Sequence, residues 1–270
     1  MASTSTNDSV RYLVFDIETI PDGRLIQKTK YPDETLTDEE AVQRARVEAR
    51  AMSSTGSDFL SLSLQMPVAV CVAKVAADFR LMSLNCLDEP HYRTAELVRG
   101  FWRGLEHYKA TLVSFNGRGF DVPVLELAAF RYGYAVPHHF ASKYGPRYRY
   151  GEAHIDLMDF FTNHGAYRLA GGLNLLAKLL GKPGKMDIQG ADVYDLFRDG
   201  QFKAINDYCT YDVLDTYFVF LRSRVLTGEL TLEAEQQLTQ RAREWLEAQC
   251  HEYPHFQYYL NHWTDPHPWP

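Results

Sequence analysis

Tyr12-Leu13-Val14-Phe15-Asp16-Ile17-Glu18-Thr19 is an apolar run that passes directly into two acidic residues. Its composition predicts a buried strand over Tyr12 to Phe15 that ends in those acids. Residues two apart in an extended chain share a face, so Asp16 and Glu18 point together while Phe15 and Ile17 turn toward a core. Standing alone, an Asp-x-Glu pair is an acidic strand end beside a turn. It becomes a cation site only if distant parts of the chain bring more carboxylates to it, because hard divalent cations take oxygen ligands.

Residues 22 to 65 change character: the charged helical stretch DEEAVQRARVEARAM and a following Ser/Gly-rich segment read as an insertion or flap. Two β-rich runs, from Pro67 and from Phe79, are joined by Ala76-Ala77-Asp78 as a hairpin would be, and extend the first strand into a sheet. Helical periodicity from Arg93 to Tyr108 precedes the short strand Thr111 to Phe115, and a helix follows Asp121. An aromatic and basic loop spans 134 to 153. A helix near Leu173 to Leu180 ends at Gly181, and a long amphipathic helix runs from about Phe202 to Val225. A charged helix, Leu232 to Cys250, leads into a tail of His, Tyr, Trp and Pro.

Two more acidic positions sit where the chain geometry aims them inward. Asp121 closes Ser114-Phe115-Asn116-Gly117-Arg118-Gly119-Phe120-Asp121, a strand that runs into a loop and then a helix. Its plain structural role is to cap that helix, which has Pro123 in its first turn, and the two roles are compatible. Gly117 and Gly119 would let a substrate approach the backbone, with Asn116 and Phe120 placed to contact a sugar or base. Asp212 lies one helical turn after Tyr208, so carboxylate and hydroxyl converge on one face. The plainer alternative packs the tyrosine at the boundary and leaves the aspartate in water. Asp207 and Asp215 lack such a partner pattern and read as surface charges.

The net charge of −7 argues against coating nucleic acid through bulk electrostatics. The balance is uneven, however. Between Arg131 and Lys185 eight basic residues face three acidic ones. Within that stretch Arg147, Tyr148, Arg149 and Tyr150 combine cations with stackable rings, as a single-strand groove would, unless the tyrosines pack on the sheet and the arginines are ordinary surface charges. Lys182 and Lys185 lie in a Gly/Pro loop suited to phosphate, or equally to solvent. At 270 residues the chain fits one domain with additions. No apolar run reaches membrane-span length and the first residues, MASTSTNDS, lack a basic start and a hydrophobic segment, so a cytoplasmic location and no membrane partner are expected. Cys71, Cys86, Cys209 and Cys250 are widely spaced with no CxxC pair, which predicts reduced thiols and no zinc site.

Taken together, Phe15-Asp16-Ile17-Glu18-Thr19, the segment Asn116 to Asp121, and Tyr208-Cys209-Thr210-Tyr211-Asp212 resemble, in order and spacing, the three motifs of the DEDD (DnaQ-like) 3′-5′ exonucleases. The first two are most similar to those of the proofreading exonuclease domain of family B DNA polymerases. The strings NGRGFDVPVL, HIDLMDFF, GKPGKM and DYCTYDVLDTY resemble stand-alone bacterial proteins predicted to be exonucleases related to that domain, a similarity that extends from Arg11 to Leu226. The fold this implies is ribonuclease-H-like: α/β, with a mixed central sheet of about five strands flanked by helices. An exonuclease domain would span 1–226, with an insertion at 22–65, and a helical and aromatic C-terminal extension would span 227–270.

The resemblance implies metal-dependent hydrolysis at the 3′ end of single-stranded nucleic acid, DNA ahead of RNA, with two Mg²⁺ or Mn²⁺ ions. Asp16 would bridge both ions, Glu18 and Asp212 would complete the first ion's site, and Asp121 would hold the second through water. Tyr208 matches the tyrosine subclass, in which it orients the attacking water with Glu18 assisting; the histidine subclass would need a histidine where this chain has Asp207. With an ordinary pKa of about 10, a tyrosine positions water better than it deprotonates it. The partners implied are DNA or RNA 3′ ends and, for any proofreading role, a separate polymerase or another repair or processing protein. Two other readings share the motifs: a catalytically weak nucleic-acid-binding or polymerase-associated module of the same fold, and an RNA-processing exonuclease, since a backbone-tracking site does not declare its sugar. Asp156, Asp159 and His154 fall outside the four carboxylate positions, and His154 reads as packed or hydrogen-bonded. His255, His262 and His267 are irregularly spaced, as in an aromatic tail packed on the domain or on a second subunit.

Overall fold

The computed structural model describes residues 9–141 and 143–264; residues 1–8, read above for a leader, and His267 lie outside the described residues. Its central strand, β1 (Val10–Pro21), pairs antiparallel with β2 (Gln65–Ala76), which pairs antiparallel with β3 (Leu81–Cys86). On its other side β1 runs parallel to β4 (Thr111–Ser114), which runs parallel to β5 (His154–Asp156). The order β3-β2-β1-β4-β5 makes a mixed five-stranded sheet of ribonuclease-H-like topology.

The first strand is longer than its apolar run predicts. From Tyr12 the ladder with β2 continues in register through Asp16, opposite Cys71, and Glu18, opposite Ala69, and shifts between Glu18 and Thr19. β-Branched Ile17, Thr19 and Ile20 favour the extended form beyond the acids. Asp16 and Glu18 are therefore interior to a paired strand and are held by its hydrogen bonds, where a loose strand end was expected.

Helices cover both faces. In chain order they are α1 (Gly23–Lys30), α2 (Asp38–Met52), α3 (Thr94–Tyr108), α4 (Asp121–Tyr132), α5 (Leu157–Thr162), α6 (Gly172–Leu179), α7 (Val193–Arg198), α8 (Phe202–Leu226), α9 (Leu232–Gln249) and α10 (Pro254–Asn261). Alternation along β1 sorts its side chains: Leu13, Phe15 and Ile17 pack with Phe101 and Trp102 of α3 and Leu125 of α4, whereas Val14 and Ile20 share a core with α8. The stretch DEEAVQRARVEARAM is α2 itself, started by a capping box in which the Thr37 hydroxyl accepts from the Glu40 amide and the Glu40 carboxylate accepts from the Thr37 amide. Ile26, Ala41, Val42 and Ala45 join the α8 core, so the segment is packed, not a free flap.

The amphipathic reading of α8 requires correction. The helix is buried nearly all round, because the sheet covers one side and α6, α7 and α9 cover much of the rest. Asp215, expected at the surface, is only 1% exposed, and its Oδ1 accepts from the Tyr259 hydroxyl at 2.7 Å. Burial raises its pKa to about 8. Asp207, also expected as a free surface charge, is half-buried with Lys203 Nζ at 2.6 Å and His255 Nδ1 at 3.1 Å. Both partners of these acids in the tail come from α10, whose Tyr259 ring also stacks on Tyr211 at 5.8 Å. Beyond α10 the Thr264 amide donates to the Gly181 carbonyl at 2.9 Å. As far as Thr264 the tail thus packs on the domain. Among the described residues no helix is long and apolar enough to cross a membrane.

Tyr259→Phe keeps the packed ring but leaves Asp215 without its donor. Its other oxygen already lacks a partner, so a destabilisation of about 1–3 kcal/mol is expected, read as a lower urea midpoint with unchanged slope.

Candidate metal centre

The interior of β1 presents Asp16 and Glu18 on its α8 face, and the third turn of α8 brings Asp212 to them. Ligand oxygens of these three residues lie within 4.8 Å of one another. Asp121 joins from the start of α4, its Oδ1 accepting the Ile17 amide at 3.2 Å. That contact corrects the expected helix cap. Phe120 occupies the capping position and no side chain caps α4, because the Asp121 carboxylate is turned across to β1.

Electrostatics explains what such a cluster requires. Burial, reinforced by repulsion from Asp121 and Asp212, pushes the carboxyls of Asp16 and Glu18 well above the usual range. Asp121 rises to about 7, chiefly through burial, against the pull of its own amide and that of Ile17. Asp212 rises to about 6, again through burial, opposed by the charge of Lys185 and by a hydrogen bond from Tyr208. Four oxygen donors that cannot all ionise together, with Lys185 the cation acting on two of them, fit a divalent metal ion and not a self-compensated ion-pair network. Burial and the surrounding carboxylates push the Tyr208 hydroxyl above its ordinary value, which makes it a neutral donor and not a base.

The loop before Asp121 is built by residues the sequence did not connect. Asp156 accepts the amides of Asn116 at 2.9 Å and Arg118 at 2.8 Å while capping α5 through the Met158 amide at 3.0 Å. This holds Asn116 in the left-handed region, φ 64°. The glycines serve the loop's own packing: a Cβ on Gly117 would lie 2.2 Å from Ser114 Oγ, and one on Gly119 2.6 Å from Asn116 Oδ1. They make room for these side chains where room for substrate was expected. His154 is buried and its Nε2 lies 2.8 Å from Ser114 Oγ, the hydrogen-bonded histidine its surroundings predicted. Phe120 is half-buried, its ring 5.9 Å from that of Phe59.

The basic residues divide. Lys185 is exposed, and its charge lowers the pKa of both Glu18 and Asp212. Lys182 is not available to phosphate: it is 3% exposed, with Nζ 3.8 Å from the centroid of the Trp263 ring and 4.9 Å from that of Phe218, and burial lowers its pKa to about 7. The aromatic tail, invisible as a partner in the sequence, encloses it. Arg147 lies 3.0 Å from Glu126 and Arg149 3.0 Å from Asp159. Both line a cavity of about 480 Å³ with Asn116 and Asp156, apart from the four carboxylates, while the Tyr148 and Tyr150 rings are exposed. A further unforeseen neighbour is Cys209, whose Sγ donates to the Asp16 carbonyl at 3.3 Å; Cys71 and Cys86 pair across β2 and β3 behind it.

The structure is similar to the family B DNA polymerase from the hyperthermophilic archaeon Pyrobaculum calidifontis, with a TM-score of 0.48 and 16% identity over 80% of this chain; the chain spans 24% of that polymerase's length. No curated protein matches it. The family match begins at residue 57, after β1, so the placement of Asp16 and Glu18 stands on geometry alone. Residues 57–263 match the family described as "Predicted 3'-5' exonuclease related to the exonuclease domain of PolB", and the chain belongs to that family.

Proposed function

We propose that the protein is a divalent-metal-dependent 3′-to-5′ exonuclease that releases nucleoside 5′-monophosphates from single-stranded nucleic acid, DNA ahead of RNA. The observation that carries this reading is the convergence of Asp16, Glu18 and Asp212 within 4.8 Å, with Asp121 beside them. The relation of the family to a polymerase's exonuclease domain supports DNA as the substrate. Residues 1–226 are taken as the catalytic unit, with 22–65 inserted in it and 227–270 as an extension, whose described part to Thr264 packs on it.

In this reading Asp16, Glu18 and Asp212, with Asp121 beside them, would hold two Mg²⁺ or Mn²⁺ ions. When bound, such ions lower the pKa of water and neutralise charge on the phosphate and the departing 3′ oxygen. The protein's own groups supply position. The Tyr208 hydroxyl, a donor beside Asp212, orients the water that attacks phosphorus, with Glu18 as its acceptor. Lys185 offsets the charge of the phosphate, and Asn116 with Phe120 faces the terminal sugar or base. The bond from phosphorus to the 3′ oxygen breaks and that oxygen takes its proton from solvent.

Asp16→Ala and Asp212→Ala should each lower stepwise shortening of a 5′-labelled single strand by at least about 10²–10³-fold, as loss of a preorganised electrostatic partner does. Equal residual activity in wild type and Asp212→Ala would assign the activity to a contaminant. Tyr208→Phe should slow turnover by about 10²-fold, the cost of a misplaced nucleophile, with metal-dependent thermal stabilisation unchanged; wild-type turnover removes its assigned role.

The raised carboxyls also fix a sign for stability. The unfolded chain ionises its aspartates near 3.8, whereas folded Asp121 and Asp212 hold their protons to about 7 and about 6. Metal-free protein should therefore lose stability as the pH rises across that window. Added Mn²⁺ should restore it, with an increment in Tm that grows with pH. A Tm indifferent to Mg²⁺ and Mn²⁺ at pH 8 would rule out the metal centre.

A further inference from the structure

Segment 59–66, which leads from α2 into β2, runs beside α4 and leaves a cavity of about 460 Å³ between them and α1. The segment touches chain neighbours of the catalytic residues at two points. Phe59 meets Phe120, the neighbour of Asp121, at 5.9 Å between ring centroids. Gln65, on the cavity wall, accepts from the hydroxyl of Thr19, the neighbour of Glu18, at 3.4 Å. From Asp121 the wall formed by α4 leads away by roughly 9 Å to Leu127 and roughly 15 Å to Arg131, at about 1.5 Å per residue.

The chemistry of this surface differs from that of the acidic chain around it. Phe130 is 88% exposed, Phe59 61% and Leu127 44%. Arg24, Lys28 and Arg131 line the cavity against a single acid, Asp22, which is already ion-paired with Arg131. Arg24 and Lys28 have no ion-pair or hydrogen-bond partner for their side chains among the described residues. In contrast, Arg147 and Arg149 each face a carboxylate at 3.0 Å. Exposed rings interleaved with uncompensated cations, on a path that starts at the carboxylates, have the character of a single-strand track: every base offers a π-face, and every linkage offers a charge.

We propose that this surface binds the single strand upstream of the scissile bond, with bases against Phe59 and Phe130 and phosphates at Arg24 and Lys28. The proposal rests on the exonuclease reading and adds the course of the substrate to it. It makes the 22–65 segment one wall of the substrate path.

The test is fluorescence anisotropy of 5′-labelled oligothymidylates of about two to ten nucleotides, in Ca²⁺ and at several salt concentrations, with cleavage followed in parallel in Mg²⁺ and Mn²⁺. Wild-type affinity should rise with length. In the double variant Arg24→Glu/Lys28→Glu that rise should flatten, with about tenfold or greater loss for the longest strand. The slope of log affinity against log salt should fall by about 1.4, two phosphate contacts at about 0.7 each. Phe130→Ala should weaken the longest strand by about tenfold. All these side chains are exposed, and unchanged melting temperatures exclude misfolding. Wild-type affinities and salt slope in the double variant, or equal losses at every length, overturn the proposal; the first of these leaves the surface to a protein partner. If length-dependent binding is lost in the variants but wild type cleaves nothing, the track stands and the exonuclease reading fails. If wild type cleaves and the variants bind normally, the track alone fails.

Discussion

Burial raises the proton affinity of Asp16, Glu18, Asp121 and Asp212 together, repulsion between carboxylates adds to it at the first three, and the surrounding elements hold them in place against that force. Two full charges 4.8 Å apart repel by about 3 kcal/mol at an effective dielectric of about 20. Several such pairs approach the whole folding stability of an ordinary domain, about 5–15 kcal/mol. The cluster must therefore keep protons or take cations. The scaffold that sustains it is stiff: β1 is hydrogen-bonded on both sides, α8 is buried along its length, and the Ile17 amide ties Asp121 to the same strand.

The groups around the cluster act by holding these supports. Asp156 gathers two amides of the loop before Asp121 and starts α5, so one carboxylate fixes both the approach to α4 and the adjoining turn. The C-terminal segment encloses Lys182, satisfies one oxygen of Asp215 and is bonded to Gly181. It thereby braces α8 and the loop that presents Lys185. These contacts account for a long helix that carries charged residues and yet is nearly wholly buried. Cations in the molecule follow the same division: Arg147, Arg149 and Arg131 face internal acids, whereas the side chains of Arg24 and Lys28 have no such partner among the described residues.

What could be read from the sequence was what depends on neighbours in the chain. The period of two in Phe15 to Thr19 set which side chains share a face. The four-residue interval from Tyr208 to Asp212 set a common helical face, and Ala76-Ala77-Asp78 marked the hairpin. α2 and α8 were legible almost to their ends because helical periodicity is local. Resemblance of the three motifs then supplied the order of carboxylates that periodicity alone could not join.

Only the tertiary structure decided which of the remaining polar groups are spent internally. Asp215 looked like a surface charge because nothing near it in sequence covers it; Tyr259, 44 residues later, does. Lys182 looked suited to phosphate until Trp263 closed over it, and Asp156 looked superfluous until it was found 40 residues from the amide it holds. The turn of Asp121 away from its helix cap likewise depends on a strand 104 residues distant. Local sequence determined the strands and helices and the face of each that carries the acids, since those follow from backbone geometry within a few residues. Which charges are buried, paired or left open was decided by packing between distant segments, because desolvation and ion pairing depend on separation in space and not on separation along the chain.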